Sequence, residues 1–339
     1  MTFLIAVVML GLIIFVHELG HFLTAKLFKM PVSEFSIGMG PQVFSVDTKK
    51  TTYSFRAIPI GGYVNIEGME VGSEVENGFS SKPAYQRFVV LFAGVFMNFL
   101  MAFILLFAVA KINGRIEYDT NAIIGGLVKG GANEQILKVD DKILELDGKK
   151  INVWTDISKI TKASQNKEEI SALIERNGKE ENITLKLTKD EENNRVVLGI
   201  SPKYKKINLS ATESLDFAKN SFNSIFTDTL KGFFTLFSGK ASLKEISGPV
   251  GIFKVVGEVS KFGWVSIISL CVVLSINIGV LNLLPIPALD GGRILFVLLE
   301  LFGIKVNKKW EEKLHKGGMI LLLFFILMIS VNDVWKLFN

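Results

Sequence analysis

Phe15-Val16-His17-Glu18-Leu19-Gly20-His21-Phe22 decides the fold and the chemistry together. It lies in an apolar run that opens at Phe3 and closes at Lys26 and Lys29, long enough to cross a bilayer as a helix. On a helix His17 and His21 share one face, one turn above the other. Two imidazoles stacked in that way can hold one zinc ion at roughly 2.0–2.1 Å each. Glu18 projects about 100° further round, where it can reach a water at the metal without being a ligand, as a general base must. Each of these groups costs about 2 kcal/mol or more to insert in a membrane helix, so their presence here argues against a chance match.

Composition agrees with a membrane setting. Of 339 residues 49% are hydrophobic and 27 are Phe, which fits a chain of several spans with some soluble mass. The net charge of +5 points to basic loops at a membrane, not to nucleic-acid binding. The single cysteine, Cys271, allows no intramolecular disulfide and no cysteine metal cluster. The first span lacks a basic leader and a small-x-small cleavage site, so it reads as a retained helix.

Outward from the first span, residues 31–86 are too polar to cross. Val43-Phe44-Ser45-Val46 and Tyr53-Ser54-Phe55-Arg56-Ala57-Ile58 flank Asp47-Thr48-Lys49-Lys50 and predict a β-hairpin. The apolar stretch Pro59-Ile60-Gly61-Gly62-Tyr63-Val64 follows. It is either a turn or an edge strand beside the metal, to which an extended peptide could add. Residues 88–110 form a second span, with Asn98 near its middle as the one polar side chain; Asn98 either bonds a neighbouring helix or serves the site.

Residues 111–205 change character: charge returns, and short β-rich runs alternate with turns, among them Asp147-Gly148 and Asn177-Gly178. This predicts an inserted α+β domain. Residues 206–263 read as an amphipathic linker region. Leu215, Phe222, Phe226, Leu230, Phe233 and Phe237 give it an apolar helical face that suits either protein packing or the membrane surface. Residues 264–284 are a third span. It ends in Asn282-Leu283-Leu284-Pro285-Ile286-Pro287-Ala288-Leu289-Asp290-Gly291-Gly292, a break of the kind tolerated at membrane depth only where protein or a wet cavity covers it. Residues 293–304 are again helical, and the last span covers 317–332, short unless it continues to about Phe338.

A catalytic zinc takes three protein ligands and leaves a position open. The third histidine, His315, sits between Lys313 and Lys316 in what reads as a polar, solvated loop. Asp290 is the better third ligand: a carboxylate in a broken apolar segment needs a strong partner, although it could instead cap the helix near Gly291. The basic loops at 26–87 and 305–316 both predict a cytoplasmic side, which puts the termini and the inserted domain outside.

His17-Glu18-Leu19-Gly20-His21, Gly61-Gly62-Tyr63-Val64 and the Asn282–Gly292 stretch together resemble the signatures of the site-two protease family. The match is to its bacterial branch that regulates sigma factor E. Ala93-Gly94-Val95-Phe96-Met97-Asn98 and Ser247-Gly248-Pro249-Val250-Gly251-Ile252 are similar to the same branch. The resemblance implies an intramembrane zinc metalloprotease of the bacterial inner membrane. It implies Zn2+ on His17, His21 and Asp290, Glu18 as base, and Asn282 helping to hold substrate; the Gly61, Gly62, Tyr63 and Val64 stretch could capture an unwound substrate as an added strand. Its substrates would be single-span membrane proteins such as anti-sigma factors or signal-peptide remnants. The fold expected is a membrane α-helical core of about four spans (1–110 and 264–339) with a membrane-associated β-hairpin region and an inserted extracytoplasmic PDZ-like domain. One departure stands out: Val139-Asp140-Asp141 occupies the place where the family leads one to expect Gly-Asp. Two rival classes are a proteolytically silent zinc-binding PDZ scaffold and a broken-helix transporter. Intact Glu18 disfavours the first, and the lack of an inverted repeat disfavours the second.

Overall fold

The computed structural model describes residues 1–69, 75–118, 121–128, 130–190, 195–239, 248–304 and 307–338. The chain forms two compact units: Met1–Ala110 with Ala211–Asn339, and Lys111–Ser210.

The first unit opens with helix α1 (Thr2–Leu27), which carries His17 and His21 on its buried side. Strands β1 (Val32–Asp47) and β2 (Thr52–Ile66) follow, and both are longer than the sequence predicts. Pro59–Val64 is no separate strand but the continuation of β2. The two strands are antiparallel, and their register is folded. Phe35 pairs with Val64 and also with Tyr53, and Ser36 pairs with Tyr63 and also with Ser54. Residues 32–37 therefore lie between 52–55 on one side and 62–66 on the other, which makes 62–66 an outer edge. Gly61 makes the bend possible: its φ is +92°, and a Cβ there would meet Met39 Cε at 2.9 Å. β2 lies along α1, with the Pro59 carbonyl beside Gly11 and Gly62 beside Glu18. At the tip of the pair Lys26 Nζ donates to Thr51 Oγ1 at 2.6 Å. Helix α2 (Ala84–Asn113) is a continuous apolar helix that exceeds the expected span at both ends.

The second unit is built around four antiparallel strands. After β3 (Arg115–Tyr118) and β4 (Ile124–Leu127) come β5 (Lys142–Leu146), β6 (Lys149–Lys150), helix α3 (Trp154–Ala163), β7 (Glu169–Arg176) and β8 (Lys179–Lys186), in sheet order β6-β5-β7-β8. Strands β9 (Thr188–Asp190) and β10 (Arg195–Val197) pair with each other. β11 (Ile200–Pro202) pairs with β4, and β12 (Tyr204–Ile207) with β3. Asp147-Gly148 and Asn177-Gly178 turn β5 into β6 and β7 into β8 with all four φ angles positive, as two-residue hairpin turns require. Ile124, Leu137, Ile143, Leu146, Ile174 and Leu185 form the core.

The chain then completes the first unit with α4 (Ala211–Phe237), α5 (Pro249–Ser260), α6 (Trp264–Leu283), α7 (Asp290–Leu301) and α8 (Lys308–Phe338). The aromatic face of α4 packs on protein: Phe222 and Phe226 set their rings edge-on against Phe99 of α2, both at 5.7 Å. The Gly248–Ile252 part of the Ser247–Ile252 run forms the start of α5; Ser247 lies outside the described residues. Asp333 of α8 accepts the Gly251 N–H at 2.8 Å and so serves that helix end, whose own N-cap Gly248 has no side chain. Among the described residues four helices are long and apolar enough to cross a membrane: Thr2–Leu27, Ala84–Asn113, Trp264–Leu283 and Lys309–Asp333.

Candidate metal centre

α1 and α2 cross at two glycines. A Cβ on Gly20 would lie 2.3 Å from the Ala93 carbonyl oxygen, and one on Gly94 would lie 2.5 Å from His21 Nε2 and 2.8 Å from His17 Cε1. The backbones can therefore approach until both imidazoles fill the gap. His21 Nδ1–H donates to the Val90 carbonyl at 2.7 Å. That bond fixes the ring and leaves the lone pair on Nε2 facing inward. Asn98, one turn beyond Gly94 and fully buried, sets its amide nitrogen 3.4 Å from His17 Nδ1, while its Oδ1 has no partner. In the opposite amide rotamer Oδ1 accepts from Nδ1–H, which leaves the lone pair of His17 Nε2 facing Asp290 and His21. Asn98 thus bonds a neighbouring helix and touches the site in one contact.

The third member arrives from the other end of the chain. α6 stops at Leu284, the Pro285–Leu289 segment turns, and α7 begins at Asp290. Asp290 Oδ2 lies 3.0 Å from His17 Nε2 and 3.3 Å from His21 Nε2, and the two Nε2 atoms lie 3.2 Å apart. The N-cap of α7 is Leu289, with no side-chain cap, so Asp290 is the first helical residue and not the cap that the sequence left open. The expectation for His315 is corrected. It belongs to no solvated loop, because α8 begins seven residues earlier at Lys308. The ring is buried on the inner face of that helix, with Nδ1 accepting the Ala288 N–H at 3.1 Å.

The donor set fits zinc. Two imidazole nitrogens and one carboxylate oxygen converge within 4.8 Å of one another, and among the described residues no other group of three such side chains does. Two inward-facing lone pairs 3.2 Å apart repel each other unless a cation or proton lies between them.

Comparison with known proteins agrees with this geometry. The profile of Peptidase family M50 matches residues 5–325. The chain belongs to that family. A protein of Fusobacterium nucleatum named as a zinc metalloprotease is 93% identical over 339 residues and covers 100% of both chains. The Bacillus subtilis regulator of sigma-W protease RasP is 27% identical over 420 residues and covers 99% of both chains. The PDZ domain of an SdrC-like protein from Listeria monocytogenes aligns with 25% of this chain and 90% of its own length, at 15% identity and a TM-score of 0.23. The protein is a zinc metalloprotease, and its family and four apolar helices make it a membrane protein.

A cavity of about 560 Å³ opens over the three converging side chains of this M50 peptidase. Glu18, Tyr63, Val64 and Asn282 line it with His17, His21 and Asp290. The Val64 N–H, on the outer edge of β2, hydrogen-bonds the Glu18 carboxylate. Tyr63 is anchored from behind: its hydroxyl donates to Glu34 and accepts from Arg56 Nη2 at 2.6 Å, and Arg56 also holds Glu34 at 2.8 Å. Gly62 leaves no room for a side chain, since a Cβ there would meet the Ser36 carbonyl oxygen at 2.6 Å and lie 3.9 Å from Glu18 Cγ, and Gly61 sets the bend before it. Sequence reasoning missed Arg293, which lines the same cavity and donates to the Met69 carbonyl at 3.0 Å. The available signal was a lone cation in the apolar run that follows Gly291-Gly292.

Proposed function

We propose that this peptidase hydrolyses peptide bonds of membrane-spanning substrates inside the bilayer, with His17, His21 and Asp290 as its zinc ligands and Glu18 as its base. The observation that carries this reading is the convergence of the three donors beside Glu18 on a helix apolar enough to span. When bound there, zinc supplies Lewis acidity, which polarises a carbonyl and acidifies water. The Glu18 carboxylate, oriented by the Val64 N–H, takes a proton from the attacking water as its oxygen bonds to the carbonyl carbon. It returns that proton to the amide nitrogen as the C–N bond breaks, leaving one new carboxyl and one new amino terminus.

A helical substrate hides its carbonyls in its own hydrogen bonds, so it must unwind before it reaches the cavity. The outer edge at Gly62, Tyr63 and Val64, just past the bend at Gly61, holds it as an added strand, and Asn282, which lines the same cavity, helps to hold it. Suitable substrates are single-span proteins such as anti-sigma factors or signal-peptide remnants. The inserted unit, whose sequence resembles a PDZ domain, lies outside the cytoplasm and excludes bulky ectodomains. A cysteine introduced at exposed Lys149 is expected to react with an impermeant reagent in intact cells; labelling only after lysis would reverse this topology.

The deciding experiment separates ligand from base. Glu18→Gln keeps size and polarity but cannot take the proton, so zinc content stays near that of the parent while cleavage of a single-span substrate falls by roughly 10²–10⁴ or more. Asp290→Ala lowers zinc occupancy and cleavage together. Full zinc and full activity in Asp290→Ala would remove it from the ligand set.

A further inference from the structure

The turn that delivers Asp290 has an unusual backbone. Ala288, two residues ahead, has φ +82°, a left-handed conformation that an L residue with a side chain rarely adopts and that surrounding contacts must hold. Those contacts come from α8. His315 Nδ1 accepts the Ala288 N–H at 3.1 Å. One turn on, and on the same face, α8 presses on the preceding residue: a Cβ on Gly318 would lie 2.4 Å from Pro287 Cβ and 2.6 Å from Pro287 O. Phe296 of α7 packs edge-on against the His315 ring at 5.7 Å. The imidazole is thus wedged between the turn and the helix that the turn begins.

The second nitrogen shows what the ring is for. Because Nδ1 accepts, the proton of the neutral ring sits on Nε2, and Nε2 is buried without a partner. A buried donor with no acceptor is costly, and an apolar side chain of similar volume would fill the space without that cost. What the imidazole supplies, and a leucine would not, is the acceptor at Nδ1.

We propose that His315 is a positioning residue for the metal site: by accepting the Ala288 N–H it holds the left-handed turn from which Asp290 reaches His17 and His21. The inference rests on Asp290 being a zinc ligand. His315 itself donates nothing to the metal, since its one free lone pair is taken by Ala288.

The test is zinc affinity of the purified full-length chain, measured by competition with a chromophoric chelator. The absorption spectrum of the Co2+-loaded protein serves as a second readout of ligand geometry. His315→Ala and the volume-filling His315→Leu are expected to weaken zinc binding roughly 10–100-fold, the range for groups that orient metal ligands, and to alter the cobalt spectrum. His315→Asn places an amide oxygen near the position of Nδ1 and is expected to recover most of the affinity and the parent spectrum. Parental affinity in His315→Leu would overturn the proposal, and so would an Asn variant no better than Leu, since packing alone would then explain the residue. If His315→Ala does not fold, the Asn and Leu pair still decides. Asp290→Ala is measured alongside: if it keeps parental affinity, the ligand assignment falls; if it loses zinc while His315→Leu keeps it, the positioning role alone falls.

Discussion

The membrane unit and the inserted unit treat buried polar groups in opposite ways. In the inserted unit Asp141 is almost wholly buried and fully supplied: Arg176 bonds both of its oxygens, at 2.8 and 2.6 Å, and the Lys138 N–H adds a third bond at 2.8 Å. In the membrane unit some buried atoms lack that supply. The buried side-chain atoms left without partners among the described residues are Arg56 Nε, Gln86 Oε1, Asn98 Oδ1 and His315 Nε2, and all four lie there. Two of them belong to side chains that touch His17 or the turn before Asp290. At the donor cluster itself the packing also sets two imidazole nitrogens and a carboxylate oxygen within 3.3 Å of one another, an arrangement that the inserted unit does not show among the described residues.

Three changes test that contrast. The largest effect is expected from Gly94→Ala, which needs no polar change. The added methyl would sit 2.5 Å from His21 Nε2, so the ring must leave its place beside Val90. Zinc content should drop and cleavage fall by about 10² or more, the scale of an ångström-sized misplacement. Zinc analysis beside a peptide-cleavage assay reads it, and an active, fully loaded variant would show that the crossing has slack. Arg176→Ala should act on the other unit alone. It strands Asp141 and lowers that unit's stability by roughly 2 kcal/mol, below the roughly 3–5 of a fully buried pair because Arg176 is partly exposed. Denaturant unfolding followed by Trp154 fluorescence measures this, with zinc content unchanged.

The smallest effect concerns Asp147. The hydrogen bonds from Lys167 and from Ser164 hold its carboxyl below the usual carboxylate range. A carboxyl depressed by folding contributes stability that is present above its unfolded pKa of about 3.9 and is lost as pH falls through the lower folded value. Asp147→Asn is expected to reduce the unit's melting temperature slightly at pH 7 and to flatten its decline below about pH 4. A melting profile of unchanged shape would leave the Lys167 contact without energetic weight.

Much of this was legible in the residues. His17, Glu18, His21 and Asp290 were readable because charge in an apolar run is costly, and that cost survives in any fold. Asp147-Gly148 and Asn177-Gly178 were readable because turn chemistry is local. What stayed hidden depends on register. Nothing local says that residues 32–37 pair on both sides, since the fold-back is set where Gly61 bends against Met39, far along the chain. His315 was misread because Lys313 and Lys316 flank it. On α8 those side chains point elsewhere, and the period that buries His315 beside Gly318 shows only once the helix is known to start at Lys308. The Val139-Asp140-Asp141 departure resolves in structure: Asp140 has φ +73°, so it occupies a glycine-like position that Asp tolerates, and Asp141 keeps the buried pairing.

The metal set joins residues 273 positions apart, from His17 to Asp290. During synthesis, at about 5–20 residues per second, the two imidazoles and Glu18 emerge roughly 14–55 seconds before the carboxylate of Asp290. A nascent chain in that interval carries Glu18 and both imidazoles but not the third donor. Any product that ends before α7 carries the same incomplete set permanently. The order of the chain therefore acts as a clock: the three-donor cluster is complete only once the start of α7 has been made and Asp290 has reached His17 and His21.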